Sequence, residues 1–489
     1  MPIFLVFLLF AFISAPLCAA EAEHQLNRNF FSFKSLTHPI KFLQESKATP
    51  LKKERPEYSD YTELLGEAYD AGLDLRALSN KDHTLYGALH LNEQESTPKQ
   101  IGRAVRIMHN HSGKSTEEFQ LQLFNKGVKG PSIALMRKDF EQALLENRGS
   151  AEEIWRNTEI SDTAKHFKKK IAIDHHELNP IRSFLIPKLL KLEIKNQNSI
   201  ATGKRTVLNR TSAVLSLNST YYRGDKRLKH EDSKSNILFK DVAFHRSLGI
   251  KANLFSNLDR MRTDIRRPAY NPIRGDIDVF AEQKFLLDNA SAAVSWHGQN
   301  INALASVGYL DEQFFGYHLD ILYRPYKPNY ALGFDAFYGA KRDPLTFMAT
   351  SIGADESWSA HIKAYYDFPA YNTQIGIRAG RYLGRDIGST VNLTKTFQNG
   401  IQLGSFATYT NRRDFDNFGD RNNFEAGIRF TMPLAQIIKP FKANARLSAE
   451  YKPFGRDTGQ FIEPPISLME ITDKIDRPHI ENHWDEILD

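Results

Sequence analysis

From Arg182 to about Phe454 the chain alternates apolar and polar residues in segment after segment. In "GYHLDILYR" Tyr317, Leu319, Ile321 and Tyr323 share one parity, with His318, Asp320 and Arg324 on the other. "YALGFDAFYG" sets Leu332, Phe334, Ala336 and Tyr338 against Gly333 and Asp335, and "SWSAHIKAYYD" sets Trp358, Ala360, Ile362, Ala364 and Tyr366 against Ser359, His361 and Lys363. The stretch Ile375 to Thr410 repeats the pattern with Arg378, Asn392, Thr394, Gln402 and Thr408. "NFEAGIRFT" and "NARLSAEY" continue it, with Glu425, Arg429, Arg446 and Glu450 on the polar side. Side chains of a strand point alternately to opposite faces, so each segment predicts a strand with one apolar and one polar face. The Asn-Gly of "FQNGI" marks a tight hairpin. Roughly twelve to fourteen antiparallel strands follow from this spacing.

A soluble sandwich alternates in this way, and so does a transmembrane barrel with its apolar face outward. Three features favour the barrel. The segments run to about ten residues, longer than the ~5–6 of ordinary globular strands. Aromatic residues often end the apolar face, as at Tyr323, Tyr338, Tyr366, Phe397, Tyr409, Phe430 and Tyr451. Many other residues on that face are small or medium, which suits lipid better than interdigitated packing.

Ahead of the strands, residues 58–147 read differently. "YTELLGEAYDAGLD" predicts a helix with Leu64, Leu65 and Ala68 on one side and Gly72 as its stop. "LDLRALSNKDHTLYGALHL" predicts two strands around an Asn80–Asp82 turn. Thr97 before Pro98 reads as an N-cap, and Ile101, Ala104, Val105 and Met108 form the stripe of the next helix. Phe119, Leu121 and Leu123 alternate with Gln120 and Gln122. Together these predict a small α/β domain. Residues 21–57 read as a polar arm, 148–181 as a linker, and 456–489 as a C-terminal tail.

The N-terminal "MPIFLVFLLFAFISAPLCAA" carries no charged side chain and ends in small residues, which predicts an export signal cut after Ala20. Acylation at Cys18 is the alternative, disfavoured because Ala15, Pro16 and Leu17 lack the small residues usual directly before such a cysteine. Cys18 is the one cysteine of the 489 residues, so disulfide and Cys-metal chemistry are not expected beyond the cut. A net charge of +6, with Lys and Arg spread along the chain, does not make a nucleic-acid footprint.

Candidate chemistry is sparse. "IDHHE" (Ile173–Glu177) offers ligand types, but adjacent residues do not share a face, so a polar linker is expected rather than a metal site. No paired glycosidase carboxylates, nucleophile elbow or phosphate loop stands out, so neither enzyme activity nor a cofactor is expected. The polar strand faces carry the candidate site. His318, Asp320, Arg324, Asp335, Lys363, Arg378, Asn392, Thr394, Glu425 and Arg429 would line a lumen and contact a hydrated polymer. The same residues would equally serve to ion-pair inside a plugged barrel.

"NLDRMRTDIRRPAYNPIRGDIDVFAEQ", "GYLDEQFFGYHLDILYRP", "ALGFDAFYGAKRD", "AGRYLGRDIGSTVNLTKTFQNGIQLGSFATYT" and "FGDRNNFEAGIRFTMPL" resemble, in order and spacing over about 200 residues, the C-terminal half of the YjbH (GfcD-like) outer-membrane proteins of exopolysaccharide and capsule biosynthesis. The α/β segment resembles that family's central domain. The resemblance implies a Gram-negative outer-membrane barrel that assists polysaccharide secretion. Its periplasmic α/β domain would work with a periplasmic polysaccharide-export protein and small accessory proteins. Within "DIRRP", shared with the family, Asp264, Arg266 and Arg267 would form a loop turned into the lumen to meet an acidic sugar, or an ion-paired structural loop. Longer members carry another β-rich half before the central domain. Only the 21–57 arm stands there in this chain, which implies a smaller barrel or one completed by a second chain. The alternative from another class is a non-conducting periplasmic or surface scaffold that binds glycan or partner proteins.

Overall fold

The computed structural model describes residues 49–92, 95–161, 190–201, 206–222, 242–261, 272–298, 300–397, 400–415, 421–434 and 445–489. The export signal, most of the arm, the "IDHHE" cluster and the loop bearing Asp264, Arg266 and Arg267 lie outside the described residues.

The α/β region begins with α1 (Tyr61–Asp70), β1 (Asp74–Lys81) and β2 (Thr84–His90). It continues with α2 (Thr97–His111), β3 (Glu118–Asn125), β4 (Val128–Met136), α3 (Arg137–Leu144), α4 (Ala151–Asn157) and β5 (Glu159–Ser161). The five strands lie in the order β1-β2-β3-β4-β5, with β2 and β3 parallel and the other pairs antiparallel. A parallel pair needs a crossover, and α2 supplies it. Ser96 caps α2, its hydroxyl accepting from the Lys99 amide, so Thr97 is the first helical residue rather than the cap. The β1–β2 turn likewise sits at Asp82–His83, both at positive φ, a little beyond the expected position.

Nearly every residue of α2 is buried, polar ones included. The cause is a second cover. The sheet packs on one side of α2, and the C-terminal tail packs on the other, through α5 (Leu468–Asp473), α6 (Arg477–Asn482) and the 3₁₀ turn Trp484–Leu488. Ile471, Ile475, Ile480, Trp484 and Ile487 of the tail belong to the same core as Leu64, Leu85, Ile101, Val105 and Phe119. A Cβ on Gly102 would lie 1.8 Å from the Ile487 carbonyl oxygen, so this helix face admits only glycine. Arg106 donates to the Leu488 and Asp489 carbonyls, and Trp484 meets Trp155 edge-on at 4.7 Å while its indole donates to the Ala151 carbonyl.

The barrel is a meander of thirteen strands: β6 (Leu190–Ala201), β7 (Thr206–Tyr222), β8 (Val242–Ser256), β9 (Phe285–His297), β10 (Ile301–Tyr309), β11 (Phe314–Tyr323), β12 (Tyr330–Arg342), β13 (Ile352–Phe368), β14 (Thr373–Arg381), β15 (Ile387–Thr396), β16 (Gln402–Phe415), β17 (Arg421–Pro433) and β18 (Ala445–Tyr451). Successive strands pair antiparallel, as in Tyr323 opposite Leu332 and Ala364 opposite Ile377. An odd number leaves the first and last strands running the same way. The closing pair is accordingly parallel, Ala445 to Tyr451 of β18 against Leu192 to Asn198 of β6. One chain therefore closes the barrel, and no second chain is needed to complete it. The closed circuit also excludes a two-sheet sandwich.

The two faces are inverted relative to a water-soluble protein. Tyr317 is 61% exposed on the outer face, whereas its neighbour His318, on the inner face, is 4% exposed. Leu319, Leu332, Tyr338, Trp358, Ile362, Tyr366, Ile377, Tyr409, Phe424 and Ile428 are all exposed outward. Asp320, Asp335, His361, Lys363 and Thr408 are buried inward.

Two outcomes follow for the α/β region. Truncating Trp484 to Ala is expected to cost about 3–5 kcal/mol, as for a large buried aromatic, read as lost hydrogen-exchange protection along α2. Glu141 is half-buried, which by itself raises its pKa. Hydrogen bonds from Arg55 and His109 outweigh this and hold the carboxyl below its usual range. A carboxylate whose folded pKa is depressed stabilises above the unfolded value and loses that contribution as pH falls through the folded one. The stability gap between wild type and Glu141→Gln should therefore be full at neutral pH and shrink as pH drops below about 4, measured by urea unfolding across pH.

Candidate functional site

The polar interior of the barrel is the candidate site, and the tail runs through it. β18 ends at the rim that holds the β10–β11, β12–β13 and β14–β15 turns. There the backbone after β18 is gripped by side chains from several strands. Asp414 accepts from the Asp457 amide at 2.6 Å, Asp386 accepts from the Gly459 amide at 2.7 Å, and Arg456 donates to Asn422 at 2.6 Å. Asp457 in turn accepts from the Arg274 and Gly275 amides.

Beyond Gln460 the tail enters the interior. The Phe461 ring lies 3.8 Å beneath the Arg378 guanidinium and near His361 and Tyr382. Ile462 packs with Leu310, Phe314, Phe337 and Leu383. Glu463 accepts from Arg429 at 2.9 Å. Leu468 packs against inward-facing Ala293, Leu304, Leu322 and Ala331, with its amide turned to Asp320. Arg324, at the other rim, then donates to Thr472 at 3.0 Å and pairs with Asp476. Contacts with inward-facing residues of β9–β14 and β17 place this segment inside the barrel, and it leaves through the rim where the α/β core begins.

The ten candidate residues are all inward-facing, but they separate into two groups. The first is locked. Lys363 donates to Asp320 at 2.6 Å and lies 3.6 Å from Asp335, which also accepts from His361 at 3.1 Å. His318 and Arg378 approach the same Asp335 carboxylate at 4.0 and 3.8 Å. Arg324 is held by Asp367 and the tail, and Glu425 accepts from the tail's Gln460 at 3.1 Å. Opposite charges in a dry interior need this pairing, because an unpaired buried charge is costly.

The second group faces open space. Asn392 and Thr394 of β15 are half-buried. Arg429 is 41% exposed and its partner Glu463 57% exposed, although both sit within the wall. Glu193 and Lys195 of β6 and Glu450 of β18 continue this lining, Arg429 donating to Glu450 at 2.9 Å. The apolar residues of the tail therefore lie against β10–β14, its Gln460 and Glu463 reach β17, and a polar, half-exposed side remains along β15–β18 and β6. The sequence reading missed the tail's own contributions, Phe461, Glu463 and Asp476. A Phe, an Ile and a Glu amid prolines carry no strand or helix period that would place them. It also missed the Arg210–Glu312 pair with Lys251 on the β7–β9 side, since Glu312 lies in a turn. Among the described residues no group of three His, Cys, Asp or Glu side chains is disposed to hold a metal ion.

The family model of the exopolysaccharide biosynthesis protein YjbH matches residues 19–474. The chain belongs to the YjbH family. The YjbH family is one of exopolysaccharide biosynthesis. Within it, the uncharacterized lipoprotein YjbH of Escherichia coli (strain K12) is 28% identical over 227 residues, which take in 45% of this chain and 32% of that protein. The match thus spans about a third of that relative's length.

The division of the interior is testable by stability. Lys363→Met leaves Asp320 and Asp335 short of a buried cation and should cost about 3–5 kcal/mol. Asn392→Ala, facing solvent, should stay within about 0.5 kcal/mol. Urea midpoints of the two variants in detergent give the comparison.

Proposed function

We propose that this YjbH-family protein is an outer-membrane barrel that assists exopolysaccharide secretion as a conduit, with its α/β domain in the periplasm. The observation that carries the reading is the inverted barrel: apolar and aromatic outside, polar and part-hydrated inside. On β12 the exposed Tyr330 and Tyr338, and on β13 the exposed Tyr366 and Trp358, mark two aromatic levels eight residues apart. Eight steps of ~3.3 Å, tilted as barrel strands are, give about 20 Å along the barrel axis, close to the apolar band of such proteins. Water has no reason to be offered such a surface, whereas hydrocarbon does.

Within this reading the half-lined side bearing Asn392, Thr394, Arg429, Glu193 and Lys195 is the polymer path. Hydroxyls, amides and balanced charges exchange hydrogen bonds with a sugar chain without trapping it. The tail narrows the path, so full passage requires residues 460–468 to leave the β10–β14 wall. The α/β core, which holds the other end of the tail, is the natural docking point for a periplasmic polysaccharide-export protein and small accessory proteins. The tail's many partners also support a second reading, a permanently closed scaffold that binds glycan or partners and conducts nothing.

Two measurements test this. In the outer-membrane fraction, unheated protein should migrate faster in SDS than boiled protein. The same mobility for both, with the protein in the soluble fraction, would remove the membrane reading. The second fixes the tail with a disulfide. A Cβ on Gly459 would stand 3.6 Å from the Thr408 Cβ, within disulfide range. Gly459 has φ +73°, so cysteine there costs about 1–2 kcal/mol. Gly459→Cys/Thr408→Cys in planar bilayers should give small or rare current steps when oxidised and larger, more frequent ones when reduced. Silence in both states would favour the scaffold.

A further inference from the structure

The rim opposite the α/β core carries two Arg-Asp pairs, Arg385-Asp386 in the β14–β15 turn and Arg413-Asp414 at the end of β16. Both aspartates turn inward and are buried, 0% and 8% exposed, where they accept from tail amides. Each carboxylate thus holds the tail through one of its oxygens. Arg385 and Arg413 are left exposed, and neither side chain makes a hydrogen bond or ion pair among the described residues.

Two more arginines stand beside them. Arg412 is exposed and donates to the Gly384 carbonyl, which ties the β16 end to the same turn. Arg381, on the outer face of β14, stacks its guanidinium 3.6 Å over the Trp358 ring and donates to the Trp358 carbonyl at 2.5 Å. The Ile387 amide donates to Asn411 at 2.8 Å, which fixes the register between the two arginine-bearing segments. Immediately along the outer wall lie exposed Trp358, Ile387, Tyr409 and Phe424. Four guanidiniums thus cap an apolar, partly aromatic surface, with no exposed carboxylate paired to them among the described residues.

We propose that this rim binds the phosphate groups of a membrane lipid, specifically a glycolipid carrying phosphomonoesters in the leaflet facing this end of the barrel. Guanidinium groups pair bidentately with phosphate oxygens, and several together match a headgroup with more than one phosphate. The apolar wall beneath receives the acyl chains. A free acidic polysaccharide fits less well, because Arg381 lies on the outer face over Trp358 and not on the lumen side. The inference rests on the membrane reading above.

The test uses the full chain purified in dodecyl maltoside, with the temperature at which the compact SDS-resistant band converts to the unfolded one as readout. Diphosphoryl lipid A should raise that temperature by about 5 °C at saturating concentration. Dephosphorylated lipid A and inorganic phosphate should leave it unchanged. Arg385→Gln/Arg413→Gln, which breaks no bond seen in the structure, should keep the compact band and lose most of the shift. Arg381→Lys, a second variant, should keep the band and lose part of it. Equal shifts with phosphorylated and dephosphorylated lipid, an equal shift with phosphatidylglycerol or free phosphate, or an undiminished shift in the double variant would each overturn the proposal. Absence of any heat-modifiable band in wild type would instead strike the membrane reading itself.

Discussion

Strand parity governs this molecule. An up-and-down meander with an odd number of strands finishes at the rim opposite the one where it began. β6 starts at the end facing the α/β region, and β18 stops at the far end. The remaining residues nevertheless complete the α/β core, with Ile471, Trp484 and Ile487 filling space beside α2. The route that joins these two facts runs through the barrel, and the tail takes it. The parallel β18–β6 seam, the threaded interior and the double-sided burial of α2 are three expressions of one count.

Threading changes what the inner wall must do. A barrel interior filled only by water leaves its polar side chains solvated. Here the tail brings Phe461, Ile462 and Leu468 against one side and excludes water from it. Charges on that side then have to meet one another, and Lys363 bridging Asp320 and Asp335 is the result. Where its apolar residues do not reach, along β15–β18 and β6, the same kinds of residue stay hydrated, as the half-exposed pair of Arg429 with the tail's Glu463 shows. One sequence pattern therefore yields both a dry polar network and a wet polar wall.

The barrel was legible in the sequence because period-two alternation is local: each strand carries its own record of which face is apolar. His318, Asp320 and Lys363 were assigned to the inner face on that basis, and their side chains lie there. Their partners were not legible, since Asp335 meeting His361 and Arg378 depends on register between neighbouring strands. The tail was the larger gap. "GQFIEPPISLMEITDKIDRPHIENHWDEILD" reads as an irregular, acidic end, and nothing in its spacing announces that Asp476 meets Arg324 or that Ile487 closes over Gly102. The spacing points to Thr97 as the cap of α2 where Ser96 serves, because both hydroxyls precede Pro98 and the choice depends on backbone conformation.

The threaded tail also imposes an order of assembly. A finished cylinder with folded domains at its mouth offers no easy passage for a segment that must end as helices outside it. The wall has to form around the tail, and the seam between β6 and β18 is its pairing most distant in sequence. That seam joins residues some 250 positions apart, a long loop to close before any contact rewards it. The tail thus acts as the mandrel on which the strands are wrapped.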